Sequence, residues 1–264
     1  MSKNALIGHT GFVGSNLLKQ FAFDSLYRSS NIEEIRGREF DLVVCAGIQA
    51  KKWWANQNAA EDLQAIQTLL DNLETISAKQ FVLISTVDVY PTPSGVDEDT
   101  SISPGVNHPY GENRRLAEEF IRSRFESHLV LRLPGLFGDG IKKNVIHDLL
   151  HRHELEKINP LGVYQYYSLD RLAADIERAT DLGLSLLNIS AEPISTREIL
   201  QNFFPDEVLG AESQFQATYD MKSKHWSAWG SSAPGYLYDK VAVFAQLGDF
   251  ITRQRHSGLS ATNA

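Results

Sequence analysis

The sequence predicts a doubly wound parallel α/β sheet with a smaller C-terminal α/β lobe, and three observations carry that prediction. Short, mostly apolar runs recur at 42–46, 81–84, 129–133 and 186–189, the first of them continuous, as in parallel strands covered on both faces. Stretches whose apolar residues return every three or four positions separate these runs, as in helices. The first apolar run, 5–7, passes directly into the segment GHTGFVG at 8–14. Strands that alternate with helices fold most simply into a parallel sheet with helical crossovers.

In chain order, Val13, Leu17 and Phe21 lie four residues apart after the glycine turn and predict a helix, followed by a short strand at 26–28 and a third strand at 42–46. A helix is expected over 59–77, with Leu63, Ile66, Leu70, Leu73 and Ile76 on one stripe. A buried strand at 81–84 follows. The next helix, 109–125, opens with Pro109, where a missing N–H costs nothing. Strands at 129–133 and 186–189 close the series. The pattern loosens after Gly138, where glycine, serine and tryptophan mix with short helices. The expected division is a dinucleotide-binding domain over 1–138, to which 163–190 returns, and a small substrate-binding lobe from 139–162 and 191–264. The small, polar residues at about 255–264 are expected to fray.

Composition narrows the function classes. The chain has 264 residues, 42% hydrophobic and 22% charged, with a formal net charge of −8. These are ordinary values for a globular protein, and the acidic balance argues against nucleic acid or an anionic membrane as partner. The single cysteine, Cys45, forms no internal disulfide and suits a reducing compartment. No apolar run approaches the ~20 residues of a membrane span, and the first residues carry no signal-peptide pattern. The expectation is a cytoplasmic protein acting on small molecules.

Gly8, Gly11 and Gly14 stand between the first strand and the first helix. Glycines there permit a tight turn, close approach of a pyrophosphate and tight helix packing. A dinucleotide site is therefore expected, with Thr10 in the turn. At the end of the second strand, a carboxylate normally holds a free ribose 2′-hydroxyl. Here the chain reads Tyr27, Arg28, Ser29, Ser30, which suits a 2′-phosphate and points to NADP. Glu33 and Glu34 lie a few residues on and keep NAD as the alternative.

Tyr110 and Arg114 are i and i+4 on the predicted helix and share a face. A cation one turn away stabilises a phenolate and suits acid–base work. The strand at 81–84 runs on into Ser85 and Thr86, hydroxyls at the carboxyl edge where such sheets bind ligands. At this point the sequence resembles the extended short-chain dehydrogenase/reductases, the NAD-dependent epimerase/dehydratase family. The matching pieces are GHTGFVG at 8–14, DLVVCAG at 41–47, STVDVY at 85–90, VDEDT at 96–100, YGENR at 110–114 and RLPGLFG at 132–138, with looser matches at 166–173 and 188–190. The resemblance implies a Rossmann-type sheet with Gly8, Gly11, Phe12, Val13 and Gly14 along the cofactor diphosphate. It also places Ala46 and Gly47 by the ribose and adds Pro134 to the cofactor set. Thr86 takes the family's Ser/Thr role and Tyr110 is the acid–base group. Two positions depart from the family pattern: the usual lysine is Arg114, and the usual asparagine before the V-Y-G element is Gly135.

Family members epimerise, dehydrate or reduce nucleotide-linked sugars. The shortness of the chain and the Val89-Tyr90-Pro91 sequence resemble the compact 4-keto-sugar reductases, in which hydride reaches the carbonyl carbon while Tyr110 protonates the oxygen, Thr86 orients it and Arg114 stabilises the tyrosinate. Asp88, two positions after Thr86, keeps a 4,6-dehydratase open, and an epimerase with retained NAD or a non-catalytic NAD(P)-binding regulator are further alternatives. Asp88, Lys143 and Asn144 are the candidate substrate contacts; Lys51, Lys52 and Lys142 are basic residues within reach of a diphosphate. Trp53, Trp54, Tyr164, Tyr166 and Tyr167 are stacking candidates, with packing the plainer use. His147, His151 and His153 lack a completing cysteine or carboxylate cluster, so no metal is expected. By resemblance, the helices at 59–77 and 109–125 form a homodimer interface.

Overall fold

In the computed structural model, which describes residues 3–213 and 217–261, strand β1 (Asn4–Ile7) lies inside a six-stranded, fully parallel sheet. On one side it pairs with β2 (Ser25–Tyr27). On the other follow β3 (Glu39–Cys45), β4 (Ser77–Thr86) and the strands His128–Leu133 and Leu186–Asn188. The chain builds outward from β1 to β2, then returns to place β3 on the opposite side. The carboxyl ends of β1 and β3 are therefore the switch point at which open sheets of this kind bind ligands. Ile7 is in register with Tyr27 and with Cys45, and Thr86 with Leu133, so Gly8, Ala46 and Thr86 all emerge at one edge.

Sheet and helix sequences meet in one apolar core. Val43, Cys45, Phe81 and Leu83 of the sheet pack with Ile66, Leu70 and Leu73 of helix α3 (Ala59–Leu73) and with Ala117 and Ile121 of α4 (Pro109–Arg124). Phe81 stacks on Phe125 with ring centroids 4.4 Å apart. Within this core, burial pushes the Cys45 thiol up to about 11, which leaves it an inert core side chain.

Several expected boundaries move. The first helix, α1, spans only Phe12–Leu17; Lys19 and Gln20 donate to carbonyls three residues back, so Phe21 lies beyond a tightened end. The second strand ends at Tyr27, leaving Arg28, Ser29 and Ser30 exposed past it. α3 stops at Leu73, short of Ile76. Leu63 is 38% exposed, whereas Asp62 is 3% exposed and takes its place on the buried face.

The residues form two compact units: the described residues up to Thr92 with Glu98–Leu133 and Leu169–Asn188, and Pro93–Asp97 with Pro134–Ser168 and the described residues from Ile189 on. The runs 134–138 and 163–168, expected in the first domain, belong to the second unit, because Gly135–Phe137 pairs with Tyr166–Ser168 there. That unit also pairs Val163–Tyr164 with Ile194–Ser195, and Ser94–Val96 with Asp220–Met221. It carries the helices Val145–His151, Thr196–Phe203 and Lys240–Ala261. The last continues through most of the segment expected to fray; residues 262–264 lie outside those described. Among the described residues, no helix is long and apolar enough to cross a membrane, and no cluster of histidine, cysteine, aspartate or glutamate could hold a metal ion.

A buried polar network ties β4 and α4 to the strands His128–Leu133 and Leu186–Asn188. Glu118 on α4 accepts from Ser85 Oγ at 2.6 Å and from Arg132 Nη2 at 2.6 Å. Arg132 Nη1 donates to Tyr90 Oη at 2.7 Å, and Asn188 Nδ2 donates to the same oxygen at 2.9 Å. Removing one member of such a pair strands a buried charge. Glu118→Ala should therefore lower unfolding stability by about 3–5 kcal/mol in urea denaturation, with Glu118→Gln costing less.

Candidate active site

Backbone crowding shapes the glycine turn. Gly8 has φ +86, a region that L side chains rarely adopt, and a Cβ there would overlap the Ala46 carbonyl at the end of β3. A Cβ on Gly14 would overlap the Gly8 carbonyl, while one on Gly11 would lie 3.2 Å from that oxygen. Gly8 N donates to Tyr27 O at 2.8 Å and Gly11 N to Gly8 O at 2.9 Å, which folds the turn back over the ends of β1 and β2. The first turn of α1 thus packs against the strand ends with bare backbone facing the edge. A cradle this tight fits the pyrophosphate of a dinucleotide, whose approach requires glycine in these places.

Thr86 ends β4 and Tyr110 opens α4. Gly111 brings them together, since a Cβ there would overlap the Asp88 carbonyl and hold the helix off the strand end. Asn56 Oδ1, one residue before the end of α2 (Lys52–Gln57), accepts from Tyr110 N at 3.0 Å, and the His108 ring caps the helix by accepting from Gly111 N at 3.0 Å. The Thr86 hydroxyl lies near enough to the Tyr110 phenol to favour its ionised form. Tyr110 is 5% exposed; burial pushes its phenol above the usual value, opposed first by Arg114 and then by Thr86 and Lys52, with Asp88 adding to the rise. Burial, then the Lys52 ammonium, holds the His108 imidazole below its usual range.

The Arg114 guanidinium lies 3.9 Å over the Tyr110 ring, within cation–π range. It is not loose. Nη1 bonds Asp62 Oδ2 and reaches Tyr110 O at 3.3 Å, while Nη2 donates to Asp62 Oδ1 at 2.9 Å and to Gln49 O at 2.5 Å. Arg114 and Asp62 are each 3% exposed. Asn113 Nδ2 adds a third bond to Asp62 at 2.8 Å. Arg114 Nε and Tyr27 Oη are buried polar atoms with no hydrogen-bond partner; Arg114 stands on the tyrosine helix and Tyr27 ends β2. Asp88 pairs with Lys52 Nζ at 2.8 Å, and Asn107 holds its backbone carbonyl at 2.9 Å.

The first unit thus brings Gly8, Gly11, Gly14, Ala46 and Gly47 to one end of the sheet, and Thr86, Asp88, Tyr110 and Arg114 into one cluster. Thr10 is exposed, Phe12 and Val13 half-buried. Arg28 and Ser29 are exposed beyond β2, and the Arg28 N–H is fixed by Asn31 Oδ1 at 2.7 Å. Pro134, Lys143 and Asn144 belong to the second unit. Asn144, at φ 108, caps the helix Val145–His151 through Ile146 N and His147 N and donates to Leu136 O at 2.9 Å, so much of its side chain holds the turn. Tyr166 and Tyr167 are buried core residues and Tyr164 is half-buried. A Cβ on Gly135 would lie 2.8 Å from Gln165 O, a steric reason for glycine where the family pattern has asparagine. His147 and His153 share Asp148 at 2.9 and 3.4 Å.

Sequence reasoning did not find Asp62. Its spacing of four from Ile66 and eight from Leu70 was the available signal, because a carboxylate on the apolar stripe must find a buried cation.

The model of the family described as NAD dependent epimerase/dehydratase matches residues 5–171, nearly the whole of the glycine turn, sheet and tyrosine helix. The chain belongs to that family. One relative, the uncharacterized UDP-glucose epimerase YtcB of Bacillus subtilis strain 168, is 28% identical over 188 residues, 61% of this chain and 58% of the relative's length. In fold the chain is similar to the dTDP-4-dehydrorhamnose reductase of Bacillus anthracis in complex with NADP (TM-score 0.72, 15% identity, 96% of this chain and 99% of the other). It is equally similar to DesIV, a dTDP-glucose 4,6-dehydratase of Streptomyces venezuelae with NAD bound (TM-score 0.72, 15% identity, 96% and 97%). The family fold therefore carries reductase, dehydratase and epimerase chemistry, and side chains must separate them.

The cradle makes a ranking testable by thermal unfolding. Gly14→Ala and Gly8→Ala should each lower the midpoint clearly more than Gly11→Ala, whose Cβ needs only a small adjustment.

Proposed function

We propose that this chain is an NADPH-dependent reductase of a nucleotide-activated keto-sugar, of the 4-keto-6-deoxysugar type. The observation that carries this reading is the buried Tyr110 phenol at the strand end that bears Thr86, with the Arg114 guanidinium 3.9 Å over its ring; burial pushes the phenol upward, and the arrangement suits proton donation to a carbonyl oxygen. A dihydronicotinamide dinucleotide held at the Gly8–Gly14 turn would supply the hydride. Tyr110 Oη delivers the proton to the carbonyl oxygen, Thr86 Oγ1 orients that oxygen, and the Arg114 guanidinium, seated over the ring, fixes the phenol in place. Asp88 is engaged by Lys52, which speaks against its use as the acid of a dehydratase. Arg28 and Ser29, exposed past β2 with no carboxylate before Glu33, support a 2′-phosphate and hence NADP over NAD. Lys143 and Asn144 remain candidates for the sugar nucleotide, and the exposed Leu63 and Leu116 on α3 and α4 support a homodimer through those helices.

The similarity to a protein named as a UDP-glucose epimerase favours a second reading, epimerisation with retained NAD. Titration of the purified protein with NADPH and NADH, after assay for dinucleotide carried through purification, separates the two. Preferential, reversible NADPH binding is expected; co-purified NAD with little NADPH binding would favour the epimerase. Tyr110→Phe should lower reduction by about 10²–10⁴-fold while cofactor affinity is unchanged, and retained activity would remove Tyr110 from the mechanism. The raised phenol gives the pH dependence its sign. Its proton, and the stability it contributes, are fully retained below about 10 and lost as pH climbs through the folded-state value, so the reduction rate should fall only on the alkaline side.

A further inference from the structure

Arg114 is the cation nearest Tyr110, yet four of its five N–H donors are spent inside the protein, two of them on Asp62. Asp62 comes from α3, a different element from the tyrosine helix, and is as deeply buried as the arginine. A lysine would present a point charge; here the carboxylate holds a flat guanidinium against the ring. We propose that Asp62 is a positioning residue for the acid–base tyrosine: it locks Arg114 over Tyr110 and offsets its charge, so that the tyrosine meets a compensated pair and keeps its proton until a carbonyl oxygen takes it.

The inference rests on the reading of Tyr110 as the acid. The groups facing Tyr110 are Arg114 on its own helix, Asp62 on α3 behind that arginine, Thr86 at the end of β4 and Asp88 just past it, Lys52 on α2 and His108 at the helix start. Lys52 is paired with Asp88, so both cations near the phenol have a carboxylate partner. Removing the Asp62 charge would leave Arg114 uncompensated in a buried site, and an uncompensated cation favours the phenolate.

The test follows the ionisation of Tyr110 directly, without substrate or turnover. In protein labelled at tyrosine Cζ, the Tyr110 NMR signal is assigned by its loss in Tyr110→Phe and titrated with pH. Asp62→Asn is expected to move the midpoint down by about one pH unit or more at retained fold; an unchanged midpoint would overturn the proposal. The double variant Asp62→Asn/Arg114→Gln removes both charges and keeps the falsification possible if the single variant does not fold. Its midpoint is expected within about half a unit of the unaltered protein, whereas a rise of about one unit or more would mean that Arg114 acts on Tyr110 uncompensated and that Asp62 only braces the fold. Failure to reduce a keto-sugar, with these titrations as expected, would count against the proposed reaction and not against the role of Asp62.

Discussion

The first unit is organised around one steric constraint, the crowding of backbone at the Gly8 carbonyl. The turn after β1 must bend sharply enough to start α1 and must lie close enough to β3 for the sheet to stay parallel and tightly wound. Only bare backbone fits: Gly14 comes against Gly8, and Gly8 against Ala46. Once that contact is made, the ends of β1 and β3 stand together with nothing between them but main chain. The edge is consequently rich in backbone dipoles and poor in side chains, an environment suited to a large anionic group.

The second organising element is polar and buried. Ser85, Glu118, Arg132, Tyr90 and Asn188 link β4, α4 and the strands His128–Leu133 and Leu186–Asn188 through hydrogen bonds between 2.6 and 3.3 Å. Ser85 immediately precedes Thr86, and Glu118 lies two helical turns beyond Tyr110. The network therefore fixes the strand end and the helix that carry the two hydroxyls, and it does so from beneath the site without occupying it. Such fully satisfied interior networks favour one geometry over near alternatives.

Much of this was legible in the sequence because parallel strands buried on both faces are written as continuous apolar runs, and because the glycine spacing has a stereochemical reason at each position. Thr86 and Tyr110 were readable as a strand-end hydroxyl and a helix-start phenol. The phase of α3 was not. Leu63 and Asp62 are neighbours about 100° apart on a helix, and periodicity alone places the leucine inside; the buried aspartate wins because Arg114, fifty-two positions later, needs it. The small pairings of the second unit were equally hidden. Ser94–Val96 and Asp220–Met221 pair across more than a hundred residues in strands of two or three, too short for any pattern of alternation to register.

The Asp62–Arg114 contact has a consequence for how the sequence can change over time. A substitution at either position alone strands a buried charge, since both side chains are 3% exposed, whereas a matched change at both does not. The two residues therefore form a single heritable unit, spread over two helices. A lineage leaving this arrangement either carries an unpaired buried charge for a time or alters both codons nearly together, which makes the aspartate–arginine pair harder to lose than to keep.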